Sequence, residues 1–201
     1  MKSRARIHAL ILSGGDSSRM GSPKALLSFQ GKSFLQHCIG IFGDDSIASI
    51  TVVTGIAHEA IEKHVQQHRL NVSLIKNPRS DQGQYSSLQV GLASLPPDAD
   101  AVIVHLVDHP FVKQETVRSI IDEFVLTSAA IVIPSHEYRR GHPLLFASRM
   151  FGKILTSQPL EGTRALLRTH EAEIHYAIVD DAGIRIDIDT REDYERYCAP
   201  S

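Results

Sequence analysis

A three-layer α/β/α sandwich around a Rossmann-like, mostly parallel sheet is predicted by three features of this 201-residue sequence. Short β-branched runs alternate with helical patterns throughout the chain. Those runs are apolar almost without a break, which is how parallel strands covered on both faces read. The first of them ends in a glycine-rich turn, where open α/β sheets place their ligands.

In chain order the strand candidates are Ile7–Leu12, Ile50–Thr54, Val72–Ile75, Ala101–Val107 and Ala130–Pro134. Helical patterns fall between them at Ser33–Phe42, Ala57–His68, Ser86–Ser94 and Gln114–Val125, with two more at Ser148–Thr156 and Glu161–His170. Ala57–His68 mixes polar and apolar positions as a surface helix does, with Ile61 and Val65 four apart on its inner face. Strand–helix–strand units at this spacing imply right-handed crossovers. After Pro134 the rhythm loosens. A polar loop, His136–His142, precedes Pro143–Phe146, which reads as a strand returning antiparallel. The tail supplies a strand at Ile174–Val179, a turn at Asp180–Gly183, a short strand at Ile184–Ile188 and a helix beginning at Thr190. No repeat, low-complexity stretch or linker interrupts this order, so one domain over residues 1–201 is expected.

Composition narrows the function classes. Hydrophobic residues make up 42% and charged residues 22%, ordinary for a soluble globular chain. The formal net charge of −2 gives no electrostatic footprint for a nucleic-acid polymer or an anionic membrane. Cys38 and Cys198 are too few for a disulfide framework and lack metal spacing, so they read as small hydrophobes. The apolar run behind the basic N-terminus is too short for a signal segment, and no stretch approaches a membrane span. A cytoplasmic location is the expectation.

The chemistry concentrates first in L-S-G-G-D-S-S-R-M-G-S-P-K, Leu12 to Lys24. Gly14 and Gly15 lack Cβ atoms, so their backbone N–H groups can approach phosphates closely. Arg19 and Lys24 add two cations within one loop, and Ser17 adds a hydroxyl donor. A triphosphate carries nearly four negative charges and needs this density of donors and charge. The spacing fits neither G-x-x-x-x-G-K-[ST] nor G-x-G-x-x-G, which disfavours a dinucleotide-dependent oxidoreductase.

Acidic positions supply the second cluster. Asp108 emerges at the carboxyl end of the Ala101–Val107 strand, and Pro110 stops that strand. A cap for the helix near Lys113 is the structural alternative. Asp187 and Asp189, two apart in a predicted strand, face the same side. Two carboxylates that close repel unless a cation lies between them, although solvation on an edge strand would also relieve them. Carboxylates completed by phosphate oxygens suit magnesium, which stays partly hydrated and shares substrate phosphates. Thr190 reads as the N-cap of the last helix, with Glu192 and Asp193 in its first turn and Asp193 structural. His64 and His68 share a helix face without a third ligand and read as solvated surface residues.

Two further segments stand out. Asn77-Pro78 followed by Gly83-Gln84-Tyr85-Ser86-Ser87 opens a helix, with Ser86 or Ser87 as its N-cap on the simplest reading. Arg139-Arg140-Gly141-His142-Pro143 could receive an anion, or could be a solvated basic loop.

These residues carry a resemblance. G-x-S-x-R-M-G-x-x-K after an N-terminal strand resembles the signature of nucleotidyltransferases similar to the molybdenum-cofactor guanylyl- and cytidylyltransferases. The sugar-nucleotide pyrophosphorylases and the isoprenoid-pathway cytidylyltransferase belong to the same superfamily. The resemblance covers nearly the whole chain. It implies that Leu12, Gly14, Gly15, Ser17, Arg19 and Lys24 hold the triphosphate. It implies that Asp108, in Asp108-His109-Pro110 where the family has D-Q-P, ligates a divalent ion. D-I-D-T-R-E-D-Y resembles the family's D-I-D-T-P-E-D-Y, with Arg191 in place of proline, and puts Asp187 and Asp189 on the same ion. Gly83, Ser87 and Asn77 fall on the segment lining base and ribose. Arg140, Gly141 and His142 match the R-G-H-P segment that faces the acceptor.

The expected reaction is attack by an acceptor phosphate on the α-phosphorus of a nucleoside triphosphate, releasing pyrophosphate, with Arg19, Lys24 and Asp108 as the catalytic residues and Mg2+ as cofactor. The resemblance implies a molybdopterin-type acceptor and a molybdoenzyme receiving the product. For the base, L-S-G-G resembles the guanylyl branch, whereas D-x-P, R-G-H-P and D-I-D-T resemble the cytidylyl branch, and CTP is favoured. The rivals are an isoprenoid- or sugar-phosphate nucleotidyltransferase, and a non-catalytic nucleotide- or cofactor-binding accessory protein.

Overall fold

The computed structural model describes residues 5–15, 21–43, 45–157 and 162–198. The chain opens with β1 (Ile7–Ser13), wholly buried, and a small hairpin of β2 (Ser28–Phe29) and β3 (Lys32–Ser33). Helix α1 (Phe34–Gly40) starts at a capping box: Ser33 Oγ accepts from Gln36 N, and Gln36 returns a bond to Ser33 N. Then follow β4 (Ile47–Thr54), α2 (His58–Gln67), β5 (Ser73–Lys76), α3 (Gln84–Ala93) and β6 (Ala101–Leu106). The second half holds α4 (Gln114–Thr127), β7 (Ile131–His136), β8 (Arg139–Arg140), β9 (Leu144–Ala147), α5 (Phe151–Thr156), α6 (Thr163–Thr169), β10 (Ile174–Ile178) and α7 (Arg191–Cys198).

The main sheet runs β10-β7-β9-β6-β1-β4-β5, with β8 paired to β7 outside that path. β1 is parallel to β4 and β6, β5 to β4, and β10 to β7. β9 is antiparallel to both β6 and β7, as the Pro143–Phe146 segment predicts. Period-two side-chain alternation builds three layers. Ile7, Ala9 and Ile11 of β1 face a core shared with α1, α2 and α4, while Leu10 and Leu12 face one shared with α3, α5 and α6. The α/β/α sandwich is therefore present. Gly91 lets α3 lie close to the sheet, since a Cβ there would meet Leu10 Cδ1 at 2.8 Å.

Several local expectations change. The predicted Ile184–Ile188 strand is a 3-10 turn, Ala182–Arg185, followed by extended chain without a partner strand among the described residues. Gly183 and Ile184 are buried in that turn, and Ile188 packs on Phe34, which fixes the segment by its side chains. The His136–His142 loop contains a two-residue hairpin, with Glu137 and Tyr138 both at positive φ between β7 and β8. Thr190 caps α7, and Asp193 is structural as expected: its carboxylate accepts from Thr190 N and Oγ1 while Thr190 Oγ1 accepts from Asp193 N. His64 is not simply solvated, because its Nε2 lies 2.8 Å from Ser33 Oγ at the α1 cap. Both cysteines are free and buried. Among the described residues no helix is long and apolar enough to cross a membrane.

Candidate active site

The chain leaves β1 for β4 on one side and places β6 on the other, so the carboxyl end of β1 is where strand order reverses. Ligand crevices of open α/β sheets form at that point. A cavity of about 630 Å³ opens there, walled by Leu12, Gly14, Gly15, Lys24, Gly83 and Ser87. Ser17 and Arg19 lie outside the described residues.

Lys24 is aimed by its local turn. It begins a 3-10 turn, Lys24–Leu26, whose neighbour Ala25 is buried and so turns Lys24 toward the crevice. Its ammonium pairs with Asp189 Oδ1 and lies 3.2 Å from Asp108 Oδ2. Burial alone would lower its pKa, but Asp108 and Asp189 outweigh burial and leave it raised.

Gly14 has a packing reason of its own. A Cβ there would stand 2.6 Å from Ser87 Oγ, so alanine is excluded unless Ser87 moves. The glycine that resembles the guanylyl branch thus packs against Ser87 Oγ, and a Cβ there would make that hydroxyl turn away from Asn77. Ser87 belongs to the first turn of α3, whose N-cap is Gly83 at φ 85°; neither Ser86 nor Ser87 caps that helix. Asn77 is 1% exposed, donates to Ser86 Oγ at 2.9 Å and Ser87 Oγ at 3.0 Å, and accepts from Arg79 N. It stands behind the cavity wall and braces Ser87.

The acidic residues meet on the other side of Lys24. Asp108 follows β6 and does not cap α4; Asp181 serves there, accepting from Lys113 N at 2.8 Å and Thr116 Oγ1 at 2.6 Å. Ile188 N donates to Asp108 O at 2.9 Å, which lays the 187–189 segment along the same turn. With Ile188 buried, Asp187 and Asp189 project away from the core together, as alternation requires even outside a strand. Asp108 and Asp189 line the first cavity and also a second of about 620 Å³, whereas Asp187 lines only the second.

These residues fit a divalent cation. Asp108 Oδ1 is buried without a hydrogen-bond partner among the described residues, a costly state for a carboxylate oxygen. Lys24 already places positive charge between two of the carboxylates. Among the described residues no three His, Cys, Asp or Glu side chains form a ready metal cage. Two carboxylates that leave positions for water and phosphate suit Mg2+ or Mn2+.

Arg140, Gly141 and His142 line the second cavity with His109, and Arg164 and Arg185 extend its basic wall. A Cβ at Gly141 would stand 2.2 Å from Ile184 O, and His142 N donates to that same carbonyl. Glycine therefore sets how closely this loop approaches the 182–185 turn. Gly141→Ala is expected to cost about 1–3 kcal/mol, read as a lower denaturant midpoint.

The His109 and His142 ring centroids lie 4.9 Å apart, with the rings tilted at 47°. Burial first, then His109, holds His142 down to about 3. Burial likewise lowers His8, His64 and His105. The unfolded chain takes up protons on these rings as pH falls through about 6.5, whereas folded His142 resists until about 3. Stability therefore rises with pH across that window, and thermal melts are expected to show a higher Tm at about pH 7 than at about pH 5.

Sequence reasoning missed Gln84, Arg164 and Arg185 on these walls. Arg164 comes from α6, distant in sequence from any motif, and Arg185 from the 182–185 turn, two residues ahead of the D-I-D-T segment. His109 was visible only as a departure from D-Q-P.

A MobA-like NTP transferase domain model matches residues 9–174. The chain belongs to the MobA-like NTP transferase family. A "2-C-methyl-D-erythritol 4-phosphate cytidylyltransferase" from Streptomyces avermitilis is 30% identical over 66% of this chain, which spans 55% of that relative's length. A "Probable molybdenum cofactor guanylyltransferase" from Bacillus cereus is 27% identical over 92% of both chains. Among solved structures, Rv0371c from Mycobacterium tuberculosis H37Rv superposes with a TM-score of 0.81, at 26% identity over 96% of this chain and 97% of that one. The same protein solved with manganese superposes at 0.78, with 23% identity over 96% and 98%.

Proposed function

We propose that this chain, acting as one domain, transfers a nucleoside monophosphate from a triphosphate to a phosphorylated acceptor and releases pyrophosphate. The observation that carries this reading is that two cavities share a boundary at which both carboxylates Asp108 and Asp189 stand, beside Gln84 and Leu106, with Lys24 reaching it from the nucleotide side. A nucleotide in the first cavity would present its α-phosphate to an acceptor in the second.

An acceptor phosphate oxygen forms the new bond to the α-phosphorus, and the bond to the bridging oxygen of the β-phosphate breaks. The electron pair leaves with pyrophosphate. A phosphate dianion is already nucleophilic, so the residues supply position and charge neutralisation and no general base. Gly14 and Gly15 offer backbone donors to the phosphates, with Ser17 and Arg19 on the same loop. Lys24 offsets charge on the departing pyrophosphate. Asp108 and Asp189 would hold the divalent ion, Mg2+ by preference, with Asp187 on the acceptor side; when bound it neutralises charge at the α-phosphate. Gly83 and Ser87 face the base and ribose. Arg140, Gly141 and His142 form the acceptor wall.

We further propose CTP as donor and a molybdopterin-type phosphate monoester as acceptor, with a molybdoenzyme receiving the product. The R-G-H-P loop on the second cavity supports this acceptor, and so does the full-length similarity to the Bacillus cereus protein. The similarity to the Streptomyces protein favours an isoprenoid phosphate as the second reading. The test is incubation with CTP or GTP, Mg2+ and each of three acceptors: a pterin phosphate, a methylerythritol phosphate and a sugar 1-phosphate. A nucleotidyl ester of the pterin phosphate, detected by mass, is the expected product. Formation of either other ester alone would replace the acceptor assignment, and no ester at all would favour an accessory role.

A further inference from the structure

We infer that His105 is a positioning residue of the active centre, fixing from within the core the turn that carries Asp108 and His109. The inference rests on reading Asp108 as a metal ligand. His105 stands in β6, otherwise apolar, and is 0% exposed. Its neighbours include the ring of Phe42, edge-on at 6.1 Å. Packing alone gives no reason for an imidazole here. Its Nδ1 is buried without a partner among the described residues, a penalty that leucine or phenylalanine would avoid.

What the imidazole supplies is one hydrogen bond. Nε2 lies 3.1 Å from His109 O, and since a carbonyl only accepts, Nε2 carries the proton. That bond completes a clamp on the turn. His109 N donates to Leu106 O at 3.1 Å, and Ile188 N donates to Asp108 O at 2.9 Å. The carbonyls of Asp108 and His109 are thus pinned from two directions, one by the 187–189 segment and one by His105. Pro110 follows and offers no N–H of its own. Releasing His109 O frees its peptide plane to rotate, which would displace the His109 ring from its place between Asp108 and His142 and loosen the aim of the Asp108 carboxylate.

The test measures Mn2+ binding in the presence of α,β-methylene CTP, by the electron paramagnetic resonance of free Mn2+, on the full chain. Folded His105→Leu is expected to bind about tenfold more weakly than wild type, as when a ligand's outer support is lost. kcat should fall while KM for the triphosphate changes little. His105→Gln, whose amide N–H can reach the same carbonyl, should restore most of the affinity. If His105→Leu does not fold, His105→Asn, too short for that carbonyl, carries the same expectation. Wild-type affinity in a folded variant lacking the bond would overturn the inference, even if that variant melts earlier. Absence of Mn2+ binding by wild type would overturn the metal reading and this inference with it.

Discussion

Lys24→Ala is expected to reduce pyrophosphate release by at least about a hundredfold, the scale seen when one preorganised donor to developing charge is removed. The lysine sits where the first cavity meets the carboxylates and bonds to Asp108 and Asp189, outside both main cores. Circular dichroism of the variant should therefore match the parent. Asp108 and Asp189 lose a counter-ion in the variant, so added Mg2+ should raise its Tm more than it raises that of wild type. An accessory protein that only carries a cofactor would retain cofactor binding and delivery after this change. Steady-state pyrophosphate assays beside a cofactor-transfer assay separate the two.

Asp108→Asn should have the larger effect on metal, with kcat lower by about a thousandfold and Mn2+ affinity greatly reduced, because the amide is neutral and a poor ligand. Asp189→Asn should follow it closely, since Asp189 lines both cavities and pairs with Lys24. Asp187→Asn should be milder and should show itself in KM for the acceptor, because Asp187 lines the second cavity alone. Equal effects of all three substitutions on Mn2+ affinity would contradict that order.

The sheet is legible because its strands are short, β-branched and apolar almost without a break, which marks five of them between helical patterns. The antiparallel return of β9 was legible too, from Pro143 and the apolar run behind it. The β7–β8 hairpin was not, because Glu137 and Tyr138 adopt positive φ without the glycine or asparagine that announces such turns. Ile184–Ile188 shows the opposite failure. Its alternation is real and orients Asp187 and Asp189, yet no strand among the described residues pairs with it, and pairing is tertiary information.

At the site, Lys24, Asp108 and the D-I-D segment are legible from residue type and place in the chain alone. Asn77 read as a contact residue, although its amide is consumed by Ser86, Ser87 and Arg79. Gly14 reads as a clue to the base, and it also packs against Ser87 Oγ, which a Cβ would displace. His105 gave no signal, since a lone histidine in an apolar strand has no motif around it. Its partner is a backbone carbonyl four residues on, visible only once the strand turns.

The most direct measurement of the central claim is pyrophosphate release with each of the four nucleoside triphosphates, in the presence of Mg2+ and a pterin phosphate acceptor. The proposed function predicts turnover that requires both metal and acceptor, is highest with CTP, and is lost in Lys24→Ala. No pyrophosphate from any triphosphate, with folded protein and a competent acceptor, would contradict it.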